Sequence, residues 1–292
     1  MSGLARSTVR TLVDTLVAAE SAVLERPPRS IEEVGEPIIV ATHRRSGTHL
    51  TIDTLRRNFP ECRPRMLPLE NQHKSYFNID AMNADHPTPH SRAEALRILG
   101  KSARPTIKTH AEPGFGEVAP EHQSFVRSIV QRSRSLYISR DGRKVMCSLW
   151  AWRGTFDPGS RVPFAEFIRQ TDGRGRSRPR EWAEHVLAWL DAPGVVHYAF
   201  DRLVRDPAAT LAEIGERFGL RLEPADPAIP PAVRSRRETW IARLRGDLTS
   251  TNQHIRGKRP PRPDEVFTAE DEAFFEREAG GAMERLNQAV GG

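Results

Sequence analysis

The chain has 292 residues, 38% of them hydrophobic, with 44 Lys and Arg against 38 Asp and Glu, a net charge of +6. That is the composition of a globular chain with side chains enough for a sizeable core, and its arginine-led positive charge favours an anionic ligand, either a nucleic acid or a small phosphate- or sulfate-bearing molecule. Two cysteines, Cys62 and Cys147, cannot build a disulfide framework or a cysteine-rich metal site, and no apolar run reaches the roughly 18 residues that span a bilayer.

Ser7 to Leu24 is predicted helical, with Leu12, Val13, Leu16 and Val17 one turn apart and Pro27 and Pro28 as the stop. Asp14 and Glu20 interrupt it, so no secretory signal is legible and cytoplasm is the expected location. Ile38 to Thr42 is a short, largely β-branched apolar run, predicted to be a buried strand, and from Thr48 onward Ile52, Leu55 and Phe59 recur at helical spacing. Residues 63–104 carry a Pro- and His-bearing middle and read as an excursion from the sheet. Thr106 and Ile107 then lead into Lys108-Thr109-His110.

Ser135 to Ser139 leads into Arg140 and an apolar-faced helix containing Cys147, which is expected to be buried. Residues 153–182, rich in Gly, Pro and Arg, read as a second excursion, and the arginines of 174–180 as a solvated basic loop, with contact to an acidic acceptor as the alternative. Val195 to Phe200 leads into Asp201, an expected N-cap, and one helix carrying Leu203, Leu211, Ile214 and Phe218, closed by Gly219. A final helix begins at Thr268, where Asp271 completes a capping-box-like pair.

Apolar runs alternating with helices predict an α/β fold of three layers, a mostly parallel central sheet with helices on both faces. Ligands bind beyond the carboxyl ends of such strands. One domain over 1–292 is the economical expectation, with 1–36 as an N-terminal extension and 37–292 as the core. His86, His90 and His73 sit among prolines without a carboxylate pattern and predict no zinc site. No isolated apolar stripe is distinguishable from core, so oligomeric state is not legible.

The stretch from His43 to His49 places Arg44, Arg45, Ser46, Gly47 and Thr48 between strand and helix. A helix N-terminus there offers unpaired N–H groups and a positive dipole end, Gly47 lets the backbone come close, and hydroxyls and guanidinium groups add donors. The stretch is suited to a phosphate. As a Walker loop it lacks the leading glycine and the lysine before the hydroxyl.

Arg44-Arg45-Ser46-Gly47-Thr48-His49-Leu50 resembles the 5′-phosphosulfate loop, P-K-S-G-T-T-W, of sulfotransferases that use 3′-phosphoadenosine 5′-phosphosulfate (PAPS), with changes at Arg44, Arg45, His49 and Leu50. Arg140 and Ser148 match that family's 3′-phosphate pair in spacing, and Lys108 to Pro113 is similar to its K-T-H-x-P segment. Phe200 lies where the family often has an adenine-contacting tyrosine. Arg256, Gly257 and Lys258 resemble its R-K-G nucleotide loop, and Trp240 its adenine-side aromatic. The resemblance runs from about Ile38 to the end of the chain.

The resemblance implies a P-loop NTPase-like sulfotransferase fold, PAPS as donor, and an in-line transfer to a hydroxyl or amine of a small-molecule or carbohydrate acceptor, with no metal required. It assigns His110 as general base and Lys108 and Arg45 as stabilisers of the transferring group, and it leaves His49 between sulfate contact and solvent. A P-loop kinase is the alternative enzyme, opposed by the missing Walker lysine. A non-catalytic nucleotide or polyanion binder is the alternative class, opposed by basic residues gathered at strand ends and by the lack of a nucleic-acid motif.

Overall fold

The computed structural model describes residues 27–65, 75–83, 85–156, 161–223, 225–230 and 260–290. The helix expected over 7–24, Trp240, and Arg256, Gly257 and Lys258 lie outside them. Strand β1 (Ile38–Ala41) is buried at every position. Its side chains alternate, so Ile39 and Ala41 join one apolar cluster and Ile38 and Val40 join another on the opposite face of the sheet.

A tight turn joins β1 to α1 (Thr48–Asn58), and after it come the edge strand β2 (Phe77–Asn78), α2 (Arg92–Leu99) and β3 (Thr106–Thr109). Helix α3 (Pro120–Gln131), β4 (Arg134–Ser139) and α4 (Gly142–Phe156) follow, then α5 (Phe164–Arg169), α6 (Arg178–Asp191) and β5 (Val196–Ala199). The remainder is α7 (Phe200–Arg205), α8 (Pro207–Phe218), α9 (Pro263–Val266) and α10 (Ala269–Val290). The sheet order is β2-β3-β1-β4-β5, and every pairing is parallel. The expected three layers are present.

On one face α1 and α8 cover the sheet through Ile52, Leu55, Leu211, Ile214 and Phe218. On the other, α4, α6 and α10 supply Val145, Trp182, Trp189 and Phe275, and complete burial of such side chains contributes about 1.5–3 kcal/mol each. The last helix lies along α6: Phe275 meets Trp182 with ring centroids 6.1 Å apart, and Ser177 Oγ donates to Glu278 Oε2 at 3.0 Å. Its start is the expected capping box, with Asp271 N donating to Thr268 Oγ1 and Thr268 N to Asp271 Oδ2. Cys147 is buried, as is Cys62.

Three sequence expectations need correction. The stretch 63–104 is not wholly outside the sheet, because Phe77–Asn78 pairs with β3 and the buried Phe77 ring anchors it. The stretch 153–182 carries α5 and the start of α6, and Phe164, Phe167, Ile168 and Trp182 are buried core. The helix expected from Asp201 to Phe218 is two: Pro207 has no N–H to continue it, so α7 stops and α8 restarts at Asp206, whose side chain accepts from Ala209 N. Asp206 is therefore the cap, while Asp201 lies in the first turn of α7 and pairs with Lys144 Nζ at 2.6 Å.

Candidate active site

Strands β1, β3, β4 and β5 all point their carboxyl ends at one region, and the candidate residues collect there. Gly47 is the N-cap of α1 in the left-handed region, at φ 103°. A side chain there is excluded twice over, because a Cβ would also lie 2.2 Å from Phe200 Cδ2. Phe200 thus seals one side of the turn and packs under Arg140, its ring centroid 5.1 Å from Cζ.

Ser46 Oγ is buried without a partner in a turn that meets the free amides of the helix start. The hydroxyls of Thr42 and Thr48 bond each other across the loop. Arg45 has a positive φ of 69°, and its Nε donates to Ser148 Oγ at 3.2 Å while the guanidinium lies over Trp152. Arg140 Nη1 donates to the Arg45 carbonyl at 3.0 Å, and its Nε is buried and unpartnered. Burial lowers the pKa of both arginines, and Arg140 lowers that of Arg45 further. Desolvated guanidinium groups with open donors favour an anion.

His110 sits at the end of β3. Its Nδ1 is 2.9 Å from the Thr42 carbonyl oxygen, which can only accept, so the proton is on Nδ1 and Nε2 carries the lone pair. Burial, then the charge of Lys108, hold its pKa well below 6.5, opposed by the bond to Thr42. The imidazole is a neutral base at pH 7. Lys108 is itself lowered by burial, against which Asp80 favours its charged form.

Asp80 carries no sequence signal, yet it organises this strand end. One carboxylate oxygen accepts from Thr109 Oγ1 at 2.7 Å and the other from His110 N at 2.9 Å, while Thr109 Oγ1 accepts from Ala111 N. One side chain from the turn after β2 thus clamps two consecutive residues, and Thr109 passes the hold on to a third. Thr42 was likewise missed as the partner of the His110 ring, because a carbonyl bond from another strand has no residue-type signature.

Two openings flank His110. A small one of about 70 Å³ is bordered by Arg44, Asp80 and His110, and a larger cleft of about 400 Å³ by His43, Arg44, His110, Arg174, Arg176 and His185, among others. The basic loop expected over 174–180 is not simply solvated: Arg176 bonds Asp172, Glu112 and Glu184, and Arg178 lies over the Phe167 ring. His49 is half-buried beside Tyr76, its Nδ1 3.4 Å from the phenol oxygen. Leu50 follows in the first turn of α1.

A fully parallel α/β sheet, with a glycine-capped loop between its central strand and the next helix and arginines at neighbouring strand ends, makes a P-loop-like fold. The chain belongs to the sulfotransferase family: the family model described as "Sulfotransferase domain" matches residues 36–281. No curated protein matches the chain. Among solved structures, mouse sulfotransferase SULT7A1 complexed with PAP is similar at 16% identity, with 87% of each chain covered and a TM-score of 0.51, a likeness of fold. A sulfotransferase from Alicyclobacillus acidocaldarius matches at 12% identity over 88% of this chain and 95% of its own, with a TM-score of 0.49. Among the described residues no helix is long and apolar enough to cross a membrane.

Proposed function

We propose that the protein transfers a sulfuryl group from PAPS to a hydroxyl or amine of an acceptor, with His110 as general base. The observation that carries this reading is the His110 tautomer: Nδ1–H is held by the Thr42 carbonyl, at the rim of the anion loop, so Nε2 is the basic nitrogen of a ring that lines the cleft. Family membership and the PAP bound to the mouse relative support the donor.

The residues present fit that donor. Unpartnered Ser46 Oγ and Arg140 Nε are buried donors awaiting an acceptor atom, and glycine at 47 keeps any side chain out of the turn against which Phe200 packs. The loop from Arg45 to Leu50 would hold the 5′ end, and Arg140 and Ser148 the 3′-phosphate beside Phe200, while Arg44 borders the openings around His110. When bound, PAPS supplies a sulfuryl group joined to a phosphate leaving group. His110 Nε2 would take the acceptor's proton, and Lys108 and Arg45 would place positive charge at the phosphate end of the site.

The nucleotide half is tested by thermal unfolding with PAP, using ADP and ATP with magnesium as comparators, since a ligand of the folded state raises the midpoint with RT ln(1 + [L]/Kd). PAP alone is expected to give a large rise, and Arg140→Ala to weaken PAP about 10-fold or more by removing a charged hydrogen-bonding partner. An equal or larger rise with ATP contradicts the donor assignment.

Asp80 is proposed as a positioning residue. Asp80→Ala is expected to lower kcat on the order of 10- to 100-fold through misplacement of His110, with little change in PAP affinity. Asp80→Asn, which keeps one acceptor for His110 N, is expected to recover part of the loss. Equal losses in kcat and PAP binding would show a merely structural role.

A further inference from the structure

We infer, resting on the sulfotransferase reading, that the acceptor is a hydrophilic hydroxyl compound bearing a carboxylate, sulfate or phosphate, and that Arg44 holds this group while His110 faces the hydroxyl. The first ground is the wall of the 400 Å³ cleft. Among its described lining residues only Ala111 and Pro113 have wholly apolar side chains; three are histidines, and Arg44, Glu112, Glu117, Arg174, Arg176 and Glu181 are charged. A steroid or a bare aromatic ring placed there would strip water from these groups and return no hydrogen bonds, whereas a hydroxylated molecule replaces them.

The second ground is where the charge is left over. Arg176 is bonded to Asp172, Glu112 and Glu184, and Arg174 has Glu117 at 4.0 Å. Arg44 is exposed and makes no side-chain hydrogen bond or ion pair among the described residues. Its charge is felt by His43, His110, His185 and Arg178, each of which it pushes toward the less charged form, and Arg178 adds a buried Nε with no partner. Glu181, and after it Asp172, are the carboxylates that offset Arg178. No carboxylate of this cleft is hydrogen-bonded to Arg44, so its positive charge faces the opening.

The third ground separates Arg44 from its neighbour. The left-handed turn at Arg45 sends that side chain to Ser148 and Trp152, on the proposed nucleotide side. Arg44 instead borders both openings around His110, with Asp80 and Phe115 by the smaller and Glu117 by both. Consecutive arginines thus serve opposite sides of the loop.

The test uses the full chain with PAPS and matched acceptors: glucuronate against glucose, 4-hydroxybenzoate against 4-methylphenol, and a steroid alcohol. Transfer is read as labelled sulfate incorporated, and PAP-induced stabilisation is read in parallel. The acids are expected to exceed their neutral partners about tenfold in kcat/KM, the size of one charged hydrogen bond. Arg44→Gln should erase that ratio, and Arg44→Lys should keep part of it. Neutral partners used as well as the acids, a preference for the steroid, or an acid preference unchanged in Arg44→Gln overturns the inference. If PAP still stabilises the protein in those cases the acceptor inference fails alone, and absence of PAP stabilisation fails both readings.

Discussion

Replacing His110 by Ala is expected to lower kcat about 10²- to 10⁴-fold, the span of one positioned general base, while PAP still stabilises the fold. The expectation follows from where the ring lies. Nδ1–H is committed to Thr42, so the loss at Nε2 is a loss of proton acceptance. The Thr42 carbonyl loses a donor in His110→Ala, but the site borders open space and water replaces it. His110→Asn retains an N–H for that carbonyl without a basic nitrogen, and should be as inactive as Ala. Full activity in either variant removes His110 from the chemistry.

The pH profile follows from the same ring. Its pKa lies well below 6.5, so the base is already neutral there, and kcat/KM should stay level from pH 8 down to about 6.5 and fall only at more acid pH. An acid limb centred at or above 6.5 contradicts the assignment.

Stability should fall steeply in the same acid range. His43 and His185 are 3% and 4% exposed and stack edge to face at 5.3 Å. Burial pushes His185 down to about 4 and His43 well below its usual value, where His185 lowers it further. Below pH 6.5 the unfolded chain binds protons that the folded one does not, so stability is fully present above 6.5 and falls as pH drops. Each buried histidine contributes a slope of roughly 1.4 kcal/mol per pH unit, down to about pH 4 for His185. Urea midpoints at pH 7, 6 and 5 measure this, and because His110 and His197 are also held low, His185→Phe should remove only its own share of the slope, roughly 1.4 kcal/mol per pH unit. Midpoints that do not move between pH 7 and 5 contradict the argument.

The divide between what was legible in the chain and what was not follows the range of the forces involved. Gly47 was legible as the point of backbone approach, but that Phe200 occupies the place of its missing Cβ depends on β5 and β1 converging, which no local pattern encodes. Arg140 and Ser148 were legible from their spacing, since both lie on one strand-to-helix junction. That Arg45 reaches Ser148 depends on a positive φ at a residue other than glycine, which residue type does not announce. The split at Asp206 was readable in Pro207 and was overridden by the apolar periodicity on either side of it.

By itself the sequence determined the alternation of buried strands and helices, the anion-binding turn at Arg44 to Leu50, and a histidine at the end of β3. These are local properties: the periodicity of apolar side chains, the backbone freedom of glycine, and donor types placed along a few residues. Only the tertiary structure decided that Asp80, from the edge of the sheet, would clamp the backbone of His110, that Thr42 would choose the ring's tautomer, and that Arg44 and Arg45 would part to opposite sides of the loop. Each of those outcomes is a hydrogen bond or a charge placed between segments distant in sequence. They arise when the parallel sheet brings its carboxyl ends together.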